Sequence, residues 1–491
     1  MNRRSFLKSS AGALAVAALG PQAVLAGHIG DRLAASNRPL GFRNGPQAPV
    51  LQAPLKKLQG TAPVDLAGRL YRNGPAQFTR GETSIGHWFD GDGLIRMFDI
   101  NGDTATLTSR FVDTVKRRRD QNAGAIVMPG FGTLAGPDVP VTSTDDTNAA
   151  NTSVMMVGEQ LWALWEAGSP YGLNPEALST DGPVTLRADL AQMPFSAHPK
   201  TDPDGTIWNF GSSFKGKSLF LWALSPSGKV KKTGLIKLPF AAYLHDWAVT
   251  KSKLIIPLQP WVFTTHRPPF VSGLEWQPER GMEVLVIDKD DFNQRKTYQL
   301  PAGAFFHTGN AFEDSDGTIR FDICLAQSPR LDTLGGREIL EGAGTGRAEP
   351  KLAMATLRAN GSADIEVTPH SAEFPQIDPR LKTQDHGKVF SVTEGASRPE
   401  SGFPFTAVMG FDWGSGRVDI FDFGPDMLVE EPLFIPATGS PDSGWLIMTS
   451  LHLKAEATEL HVFRSDRLAD GPQVSWRTDY ALPIGFHGIW V

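Results

Sequence analysis

The chain has 491 residues, of which 41% are hydrophobic and 20% are charged, and it carries a net charge of −6. This composition excludes a disordered, collagen-like or coiled-coil protein, and the single cysteine excludes a disulfide framework and any metal site built from cysteines. The negative charge argues against a nucleic-acid-binding protein, which normally carries a basic surface.

Residues 1–26 have the pattern of an export signal. The pair Arg3-Arg4 and the following Phe6-Leu7-Lys8 precede an apolar stretch at 11–19 and a small-residue cleavage pattern ending at Ala26. The arginine pair indicates the twin-arginine export route, and an ordinary secretory signal is the alternative. No stretch reaches the roughly 20 apolar residues that span a bilayer. We therefore expect a signal peptide at 1–26 and a soluble, periplasmic or exported protein with a single domain at 27–491.

Short strand-like runs recur along the rest of the chain. They are rich in β-branched and aromatic residues, and turn pairs such as Asp204-Gly205 and Asp316-Gly317 separate them, because glycine adopts positive φ without a Cβ clash. Stretches with helical periodicity and caps are scarce. The predicted strands are Thr206–Phe210, Ser218–Leu224, Lys253–Leu258, Met282–Asp288, Thr318–Ala326, Phe405–Phe411, Arg417–Phe423 and Gly444–His452.

The density of these strands favours an all-β propeller over a sandwich or a barrel. Antiparallel sandwiches and barrels seldom exceed about 250 residues, whereas propellers repeat four-stranded blades, typically about four to eight times. Seven such blades would leave roughly 16 residues for each strand and its turn. Residues 120–150 and 331–350 interrupt the strand pattern, and we expect both segments to lie as loops over one face, where ligands bind.

Four of the 11 histidines lie in apolar, strand-like segments, and none belongs to a short metal-binding motif. A single buried histidine is better explained as a hydrogen-bonded core residue than as a ligand. Four in similar settings make a metal site an equal alternative, because the inner strands of different propeller blades meet at the axis. The four residues are His198, His245, His307 and His487.

Three carboxylates also stand in apolar runs. Glu166 follows a Trp-rich segment, and Glu373 and Glu431 each precede apolar residues. A carboxylate in such a place either faces water at the end of a strand or accepts the free N–H of a metal-bound histidine, which orients the ring and offsets the metal charge. The residues alone leave both interpretations open.

Several motifs occur together in a fixed order. Residues 71–75 read Tyr-Arg-Asn-Gly-Pro and residues 87–93 read His-Trp-Phe-Asp-Gly-Asp-Gly; four histidine segments follow at 196–203, 245–246, 307–311 and 486–488. From about residue 65 to residue 491 the sequence thereby resembles the carotenoid cleavage oxygenase family, which includes apocarotenoid and lignostilbene dioxygenases and the retinoid isomerase.

The resemblance implies a fold, a metal and a reaction. The fold would be a seven-bladed β-propeller with a dome of loops and helices over an axial Fe(II). The metal ligands would be His198, His245, His307 and His487, with Glu166, Glu373 and Glu431 orienting three of them. Four neutral ligands leave two of six octahedral positions for O2 and water. The reaction would split a conjugated C=C bond with O2 into two carbonyl products, without another cofactor. His87 has a structural role in this interpretation.

The substrate is less constrained than the metal site. Family members that act on lignostilbenes hold the phenol with a tyrosine and a lysine. This chain has no lysine between Lys116 and Lys200, and its only tyrosine in that interval is Tyr171. An apolar polyene, either a carotenoid or an apocarotenoid, is therefore favoured over a stilbene. Residues 261–263 and 268–271 are apolar and, if exposed near the cavity entrance, would contact a membrane that supplies such a substrate.

Three alternatives stay open alongside the carotenoid dioxygenase. One is a stilbene dioxygenase with the same iron site. Another is an isomerase or isomerooxygenase, which oxygen uptake distinguishes. The last is a non-catalytic propeller that binds a ligand in the periplasm. In every case the expected partners are small molecules and O2 rather than nucleic acid, and the sequence carries no indication of the oligomeric state.

Overall fold

A seven-bladed propeller accounts for nearly all of the secondary structure. The computed structural model describes residues 38–343, 350–397, 402–439 and 443–491, so the predicted signal peptide at 1–26 lies outside the described residues. Within these ranges, seven antiparallel sheets of four to six strands are arranged as blades, which confirms the predicted all-β propeller. We number the blades 1 to 7 in the order in which the chain builds them.

The strands of each blade follow one another from the axis outward. Blade 1 consists of Gly488–Trp490, Ala67–Arg72, Leu94–Asn101, Thr104–Phe111 and Val50–Pro54, and blade 2 of Ser153–Val157, Gln160–Leu164, Tyr171–Leu173 and Thr180–Pro183. Blade 3 consists of Lys200–Thr201, Ile207–Ser213, Ser218–Leu224 and Val230–Lys237. Blade 4 consists of Ala248–Val249, Lys253–Leu258, Met282–Asp288 and Arg295–Leu300. Blade 5 consists of Ala304–Glu313, Ile319–Ala326, Lys351–Leu357 and Ala363–Ser371. Blade 6 consists of Glu373–Gln376, Lys388–Thr393, Ala407–Asp412 and Val418–Asp422. In blade 7 the short strands Met427–Val429 and Leu433–Pro436 both pair with Gly444–His452, which is followed by Ala457–Arg464, Val474–Arg477 and Lys56–Gly60.

Two strand pairings close the ring. In blade 1, Gly488–Trp490 pairs with Ala67–Arg72, so Arg72 lies opposite Gly488. In blade 7, the early strand Lys56–Gly60 pairs with Val474–Arg477. Strands from both ends of the described chain therefore complete neighbouring blades, and the pairing leaves no open sheet between them.

The middle strands are buried on both faces because blades pack face to face around the ring. Ser218–Leu224 is buried at every position, and Lys253–Leu258 is buried at all but its first residue. Burial on both faces produces continuous apolar runs, which is why these strands, together with Met282–Asp288 and Gly444–His452, have the predicted boundaries. The predicted strand Thr206–Phe210 is longer in the structure, where it spans Ile207–Ser213.

The α-helices of the dome lie at the two predicted insertions: the first helix begins before residue 120 and only its end falls within 120–150, whereas the second lies within 331–350. Helix α1, Val115–Ala123, is capped by the Thr114 hydroxyl, which accepts a hydrogen bond from the Arg117 amide at 3.1 Å. Helix α2, Gly336–Glu341, follows a π-helical turn at Leu331–Gly335. Lys116 of α1 is buried and bonds Asp92 at 2.8 Å, which ties the dome to the propeller.

Short elements complete the structure. Two-stranded pairs are formed by Trp261–Phe263 with Leu274–Trp276 and by Thr79–Arg80 with Thr83–Ser84. The 3-10 turns are Leu40–Phe42, Trp88–Asp90, Thr144–Thr147, Ala188–Leu190, Phe270–Gly273, Pro278–Arg280, Pro379–Leu381 and Leu468–Asp470. Among the described residues, no helix combines the length and apolarity needed to cross a membrane.

Candidate metal centre

Four imidazoles from four different blades meet on the propeller axis. Each lies within or shortly before the innermost strand of its blade, and all four side chains are buried. Their ligand atoms all lie within 4.8 Å of one another. The four residues are His198 of blade 3, His245 of blade 4, His307 of blade 5 and His487 of blade 1.

The spacing of the Nε2 atoms fits one shared metal ion. The Nε2 atoms of His198 and His245 are 2.9 Å apart, and those of His307 and His487 are 3.1 Å apart. If each nitrogen lies about 2.1 Å from a metal, two ligands at a right angle are about 3 Å apart and two opposite ligands about 4.2 Å apart. The observed separations match this pattern.

The surroundings keep imidazoles in the neutral form that binds metals. Burial, followed by the proximity of the other three imidazoles, lowers the pKa of His198 well below its usual value. Burial, followed by His487 and His245, has the same effect on the pKa of His307. A neutral imidazole offers a ring-nitrogen lone pair to a metal but no negative charge, so compensation of the metal charge has to come from other groups.

Three carboxylates from the remaining blades face the outer ring nitrogens. Each imidazole that donates its Nδ1–H to a carboxylate keeps the Nε2 lone pair directed at the axis. The pairs are His245 Nδ1 with Glu166 of blade 2, His307 Nδ1 with Glu373 of blade 6, and His487 Nδ1 with Glu431 of blade 7 at 2.9 Å. All seven blades therefore contribute either an imidazole or a carboxylate.

The pKa values of the two fully buried carboxylates shift in opposite directions. Burial raises the pKa of Glu373 to about 8. Burial alone would also raise the pKa of Glu431, but His487 and Arg72 outweigh it and lower this pKa. Glu431 also accepts hydrogen bonds from Gln376 at 2.9 Å and from the Gly488 amide at 2.8 Å. Glu431 is therefore the more firmly ionised of the two.

The inner strands are irregular where they carry these side chains. Strand pairing in blade 5 shifts register between Phe305 and Thr308, on either side of His307. In blade 6 the register shifts after Glu373, and Phe374 has φ of 54°, a left-handed conformation that is costly for a bulky side chain. Such irregularities redirect a side chain, here toward the axis.

No carboxylate of the described residues lies at hydrogen-bond distance from His198. Its Nδ1 lies 3.9 Å from Asp246 Oδ1, which is too long for a hydrogen bond. Asp246 instead binds Lys200 at 2.7 Å and the Thr308 amide at 2.8 Å. The fourth imidazole is thus near a negative charge that other groups hold in place.

Two contacts at the site had no predicted role. Tyr243 donates its hydroxyl to Glu166 at 2.8 Å, and Arg72 Nη1 lies 3.4 Å from Glu431. Spacing could have indicated Tyr243, because residues two apart on an extended strand share a face and His245 follows at that interval. Arg72 belongs to the motif at 71–75, but nothing local to that motif indicates a distant partner.

An aromatic cavity lies above the histidines and beneath the dome. It encloses about 1450 Å³, including the open space at its mouth, and no lysine or arginine among the described residues lines it. Leu331 and Ile339 of the dome close one side. Its aromatic wall includes Phe89, Phe131, Phe214, Phe270, Phe306 and Phe486.

The residues weighed for substrate binding lie in different places. Tyr171 is fully buried and accepts a hydrogen bond from the Val115 amide at 3.2 Å, so it does not line the cavity. Trp261 and Val262 are buried, whereas Phe270 is partly exposed and lines the cavity. The apolar segment at 261–271 is therefore partly core and partly cavity wall.

His87 lies outside the group of four. Its Nδ1 accepts a hydrogen bond from the Phe89 amide at 3.2 Å, so its Nε2–H donates to the Asp332 carbonyl at 2.9 Å. Burial lowers the pKa of His87 to about 4. This neutral side chain joins the propeller to the dome segment that precedes helix α2.

Known proteins are similar to this chain in sequence along most of its length. The chain is 29% identical over 463 residues to apocarotenoid-15,15'-oxygenase of Synechocystis sp., which covers 89% of this chain and 92% of that protein. It is 27% identical over 480 residues to isoeugenol monooxygenase of Pseudomonas putida, with 91% and 98% covered. It is 26% identical over 478 residues to lignostilbene-alpha,beta-dioxygenase isozyme III of Sphingomonas paucimobilis, with 88% and 93% covered.

Solved structures are similar to this chain in fold as well. The cobalt-substituted apocarotenoid oxygenase of Synechocystis superposes with a TM-score of 0.81 at 26% identity, covering 93% of this chain and 99% of that one. The family model described as retinal pigment epithelial membrane protein, RPE65, matches residues 44–491. The chain is therefore a member of the RPE65 and carotenoid cleavage oxygenase family, which includes relatives of this chain that are named as oxygenases.

Proposed function

We propose that this protein is a non-haem iron(II) dioxygenase that splits a conjugated C=C bond of a carotenoid or apocarotenoid into two carbonyl products. The convergence of four buried imidazoles beneath an aromatic cavity carries the proposal. His198, His245, His307 and His487 would hold the ion. Imidazole suits iron(II), and bound iron supplies the activation of O2.

The side chains around the centre have separate tasks. Glu166, Glu373 and Glu431 hold three ring orientations, and Glu431, whose pKa is lowered, offsets positive charge. Phe306 and Phe374 pack against His245 and His307 with ring centroids 4.2 Å and 4.8 Å apart. These two phenyl rings exclude water from the edges of the imidazoles.

The cavity lining supports an apolar, conjugated substrate. Aromatic rings offer a polyene extensive contact area, and the described lining carries no cationic group that would bind a phenolate. An apocarotenoid-15,15'-oxygenase is among the relatives of this chain. A stilbene or another phenolic olefin is the second candidate, because relatives include an isoeugenol monooxygenase and a lignostilbene dioxygenase, and because the Tyr243–Glu166 pair offers polar atoms in the cavity.

Product analysis tests the reaction and the substrate together. The iron-loaded protein is incubated with a panel of carotenoids, apocarotenals and hydroxystilbenes under ¹⁸O2, and products are identified by mass spectrometry. We expect two labelled carbonyl fragments from an apocarotenoid. Cleavage of hydroxystilbenes alone would establish the second candidate, and an isomerised product without oxygen uptake would contradict dioxygenase chemistry.

A histidine variant separates catalysis from passive binding. His307→Ala removes one of the four imidazoles, so we expect loss of metal and of turnover. His452→Ala is the matched control, because His452 ends the second strand of blade 7 and is not one of the four histidines that converge. If His307→Ala retained full turnover, or if the protein took up no iron, the proposed iron site would be wrong.

We also propose that residues 1–26 direct twin-arginine export to the periplasm. The Arg3-Arg4 pair and the apolar stretch that follows it support this. Replacing both arginines with lysine is expected to retain the protein in the cytoplasm, as measured by cell fractionation. An unchanged distribution would favour an ordinary secretory signal.

A further inference from the structure

A second cavity reaches three of the four histidines from the opposite end of the propeller axis. Along blade 5, Phe306 lines the aromatic cavity, His307 lines both cavities, and Asn310 lines only the second. Along blade 6, Glu373 lines the aromatic cavity and Gln376 only the second. The inner strands therefore run from one cavity past the histidines to the other, and we call the second cavity the polar channel.

The polar channel differs in chemistry from the aromatic cavity. Its wall carries two lysines, two carboxylates, hydroxyls and amides, and it reaches the imidazoles of His198, His307 and His487. The polar residues that line the channel include Lys200, Thr201, Asp246, Thr308, Gln376 and Lys382. Lys200 is neutralised by Asp246, with which it forms an ion pair at 2.7 Å.

Lys382 stands at the solvent end of this channel. The residue is exposed overall, but its ammonium group lies among protein atoms, and this burial, followed by the charge of Lys200, lowers the pKa of Lys382. No ion pair or hydrogen bond of the ammonium group occurs among the described residues. The loop that carries it is fixed, because Asn310 donates to the Gln384 carbonyl at 2.8 Å and accepts from the Thr383 amide at 2.9 Å. A positive charge is thereby held at the mouth of a passage that leads to the metal centre.

A metal ion and an organic substrate need different routes to this centre. A divalent ion in water carries a hydration shell, and the mostly apolar wall of the aromatic cavity offers few groups to replace that shell. Hydroxyls, amides and carboxylates along the polar channel can replace it. A fixed cation on the route repels the metal ion as it passes and so raises the barrier to both entry and release. The ion bound at the histidines is farther from this cation, so its energy is raised less.

We propose that the metal ion exchanges with solvent through the polar channel and that Lys382 slows its passage, so that the bound ion is retained kinetically. This inference rests on the metal site proposed above. It assigns Lys382 a role in metal retention and none in the cleavage reaction.

The test measures metal exchange directly. Cobalt(II) uptake by the apoprotein and its release into EDTA, at EDTA concentrations where the rate no longer depends on EDTA, are followed by visible absorbance. Lys382→Met is expected to accelerate both processes about fivefold, and Lys382→Glu further, at low salt. High salt reduces these differences because the charge lies near the surface.

Control variants define the mechanism. Lys382→Arg keeps the charge and should match the wild type, as should Lys351→Met at an exposed position in blade 5. Thr201→Trp narrows the channel and should slow both processes. Equal rates in all Lys382 variants and in Thr201→Trp would overturn the channel proposal. Failure of the wild type to bind cobalt would instead contradict the metal site itself.

Discussion

The carboxylates at the metal centre are held with unequal firmness. Glu431 is buried and has contacts with Gln376, Arg72 and the Gly488 amide in addition to His487. Glu166 is partly exposed to the cavity, and the Tyr243 hydroxyl is its main support besides His245. Because an ionised carboxylate compensates a metal charge best when it cannot move, Glu431 should contribute more to metal affinity than Glu166.

A neutral amide at position 431 tests this difference. Glu431→Gln keeps the side-chain shape but removes the charge, so we expect metal affinity to fall by about 10- to 100-fold. Glu166→Gln should have a smaller effect, and Glu313→Gln, away from the centre, should have none. Cobalt titration monitored by absorbance measures all three. Equal losses in Glu431→Gln and Glu166→Gln would show that burial does not control the contribution.

A buried histidine outside the centre predicts how stability depends on pH. Burial lowers the pKa of His461 from its ordinary value of 6.5 to about 3. Between these values the unfolded chain binds a proton that the folded chain does not. Burial of the neutral ring therefore has no pH-dependent cost above pH 6.5, and its cost grows as the pH falls toward 3. His461 alone should make the free energy of unfolding about 2 kcal/mol lower at pH 5 than at pH 7.

Urea titrations at several pH values measure this dependence. His461→Asn removes the titrating group but keeps polar atoms near Ser450 and Ser475, so the change in unfolding free energy with pH should become shallower. A His461→Asn protein with the wild-type slope would disprove the assignment.

At the level of elements, the dome is fitted closely to the propeller. A Cβ atom at Gly336, the first residue of helix α2, would lie 2.2 Å from His87 Nε2. His87 cannot easily yield, because its ring is buried against Phe89 and Phe131 with centroids 4.4 Å and 4.9 Å away. The absence of a side chain at position 336 therefore sets the height of helix α2 above the cavity.

Gly336→Ala should displace this part of the dome. We expect it to destabilise the protein by about 1–3 kcal/mol and to raise KM, because Leu331 and Ile339 of the same segment line the cavity. Metal content should not change. Gly414→Ala is the control, since the nearest atom to its Cβ would be Asp412 Oδ1 at 3.5 Å. An unchanged KM in Gly336→Ala would show that the dome does not shape the substrate site.

Strands were predictable from sequence where packing leaves a local pattern. Ser218–Leu224 and Lys253–Leu258 are covered on both faces, and this produces the apolar runs that predicted them. The irregular inner strands offer no such pattern. The register shifts around His307 depend on contacts with other blades, so spacing alone left core histidine and ligand as open alternatives. The resemblance to a family supplied the grouping that local pattern could not.

Other features of the centre were beyond sequence reasoning for a physical reason. The pairing of Arg72 with Glu431, and the place of Lys382 at the channel mouth, depend on which blades become neighbours. Neighbouring blades are set by ring closure, which joins Gly488–Trp490 to Ala67–Arg72. Neither residue type nor local spacing encodes that long-range pairing.

For the whole molecule, the metal should act as a link between blades. Because its four proposed ligands come from blades 1, 3, 4 and 5, the unfolded chain cannot present them together. Binding to the folded state alone would stabilise the protein by about 4 kcal/mol when free metal exceeds the dissociation constant a thousandfold. We expect the thermal midpoint to fall when metal is removed and to recover on addition of iron(II).

Calorimetry under anaerobic conditions measures this stabilisation. His307→Ala is the control, because a protein that has lost one imidazole should show a much smaller dependence of its thermal midpoint on metal. A wild-type midpoint that is indifferent to metal would contradict metal binding by the folded state.

Residues 487–490 have a consequence for how the protein is made. They carry one of the four imidazoles and the innermost strand of blade 1, yet they follow every other blade strand in the sequence. A nascent chain on the ribosome can assemble blades 2 to 6 before these residues emerge, but it has neither the last imidazole nor a closed ring. Incorporation of a metal at the four histidines therefore has to wait until residues 487–490 have been made and the strand Gly488–Trp490 has paired with Ala67–Arg72, and products truncated before His487 should be unable to complete the site.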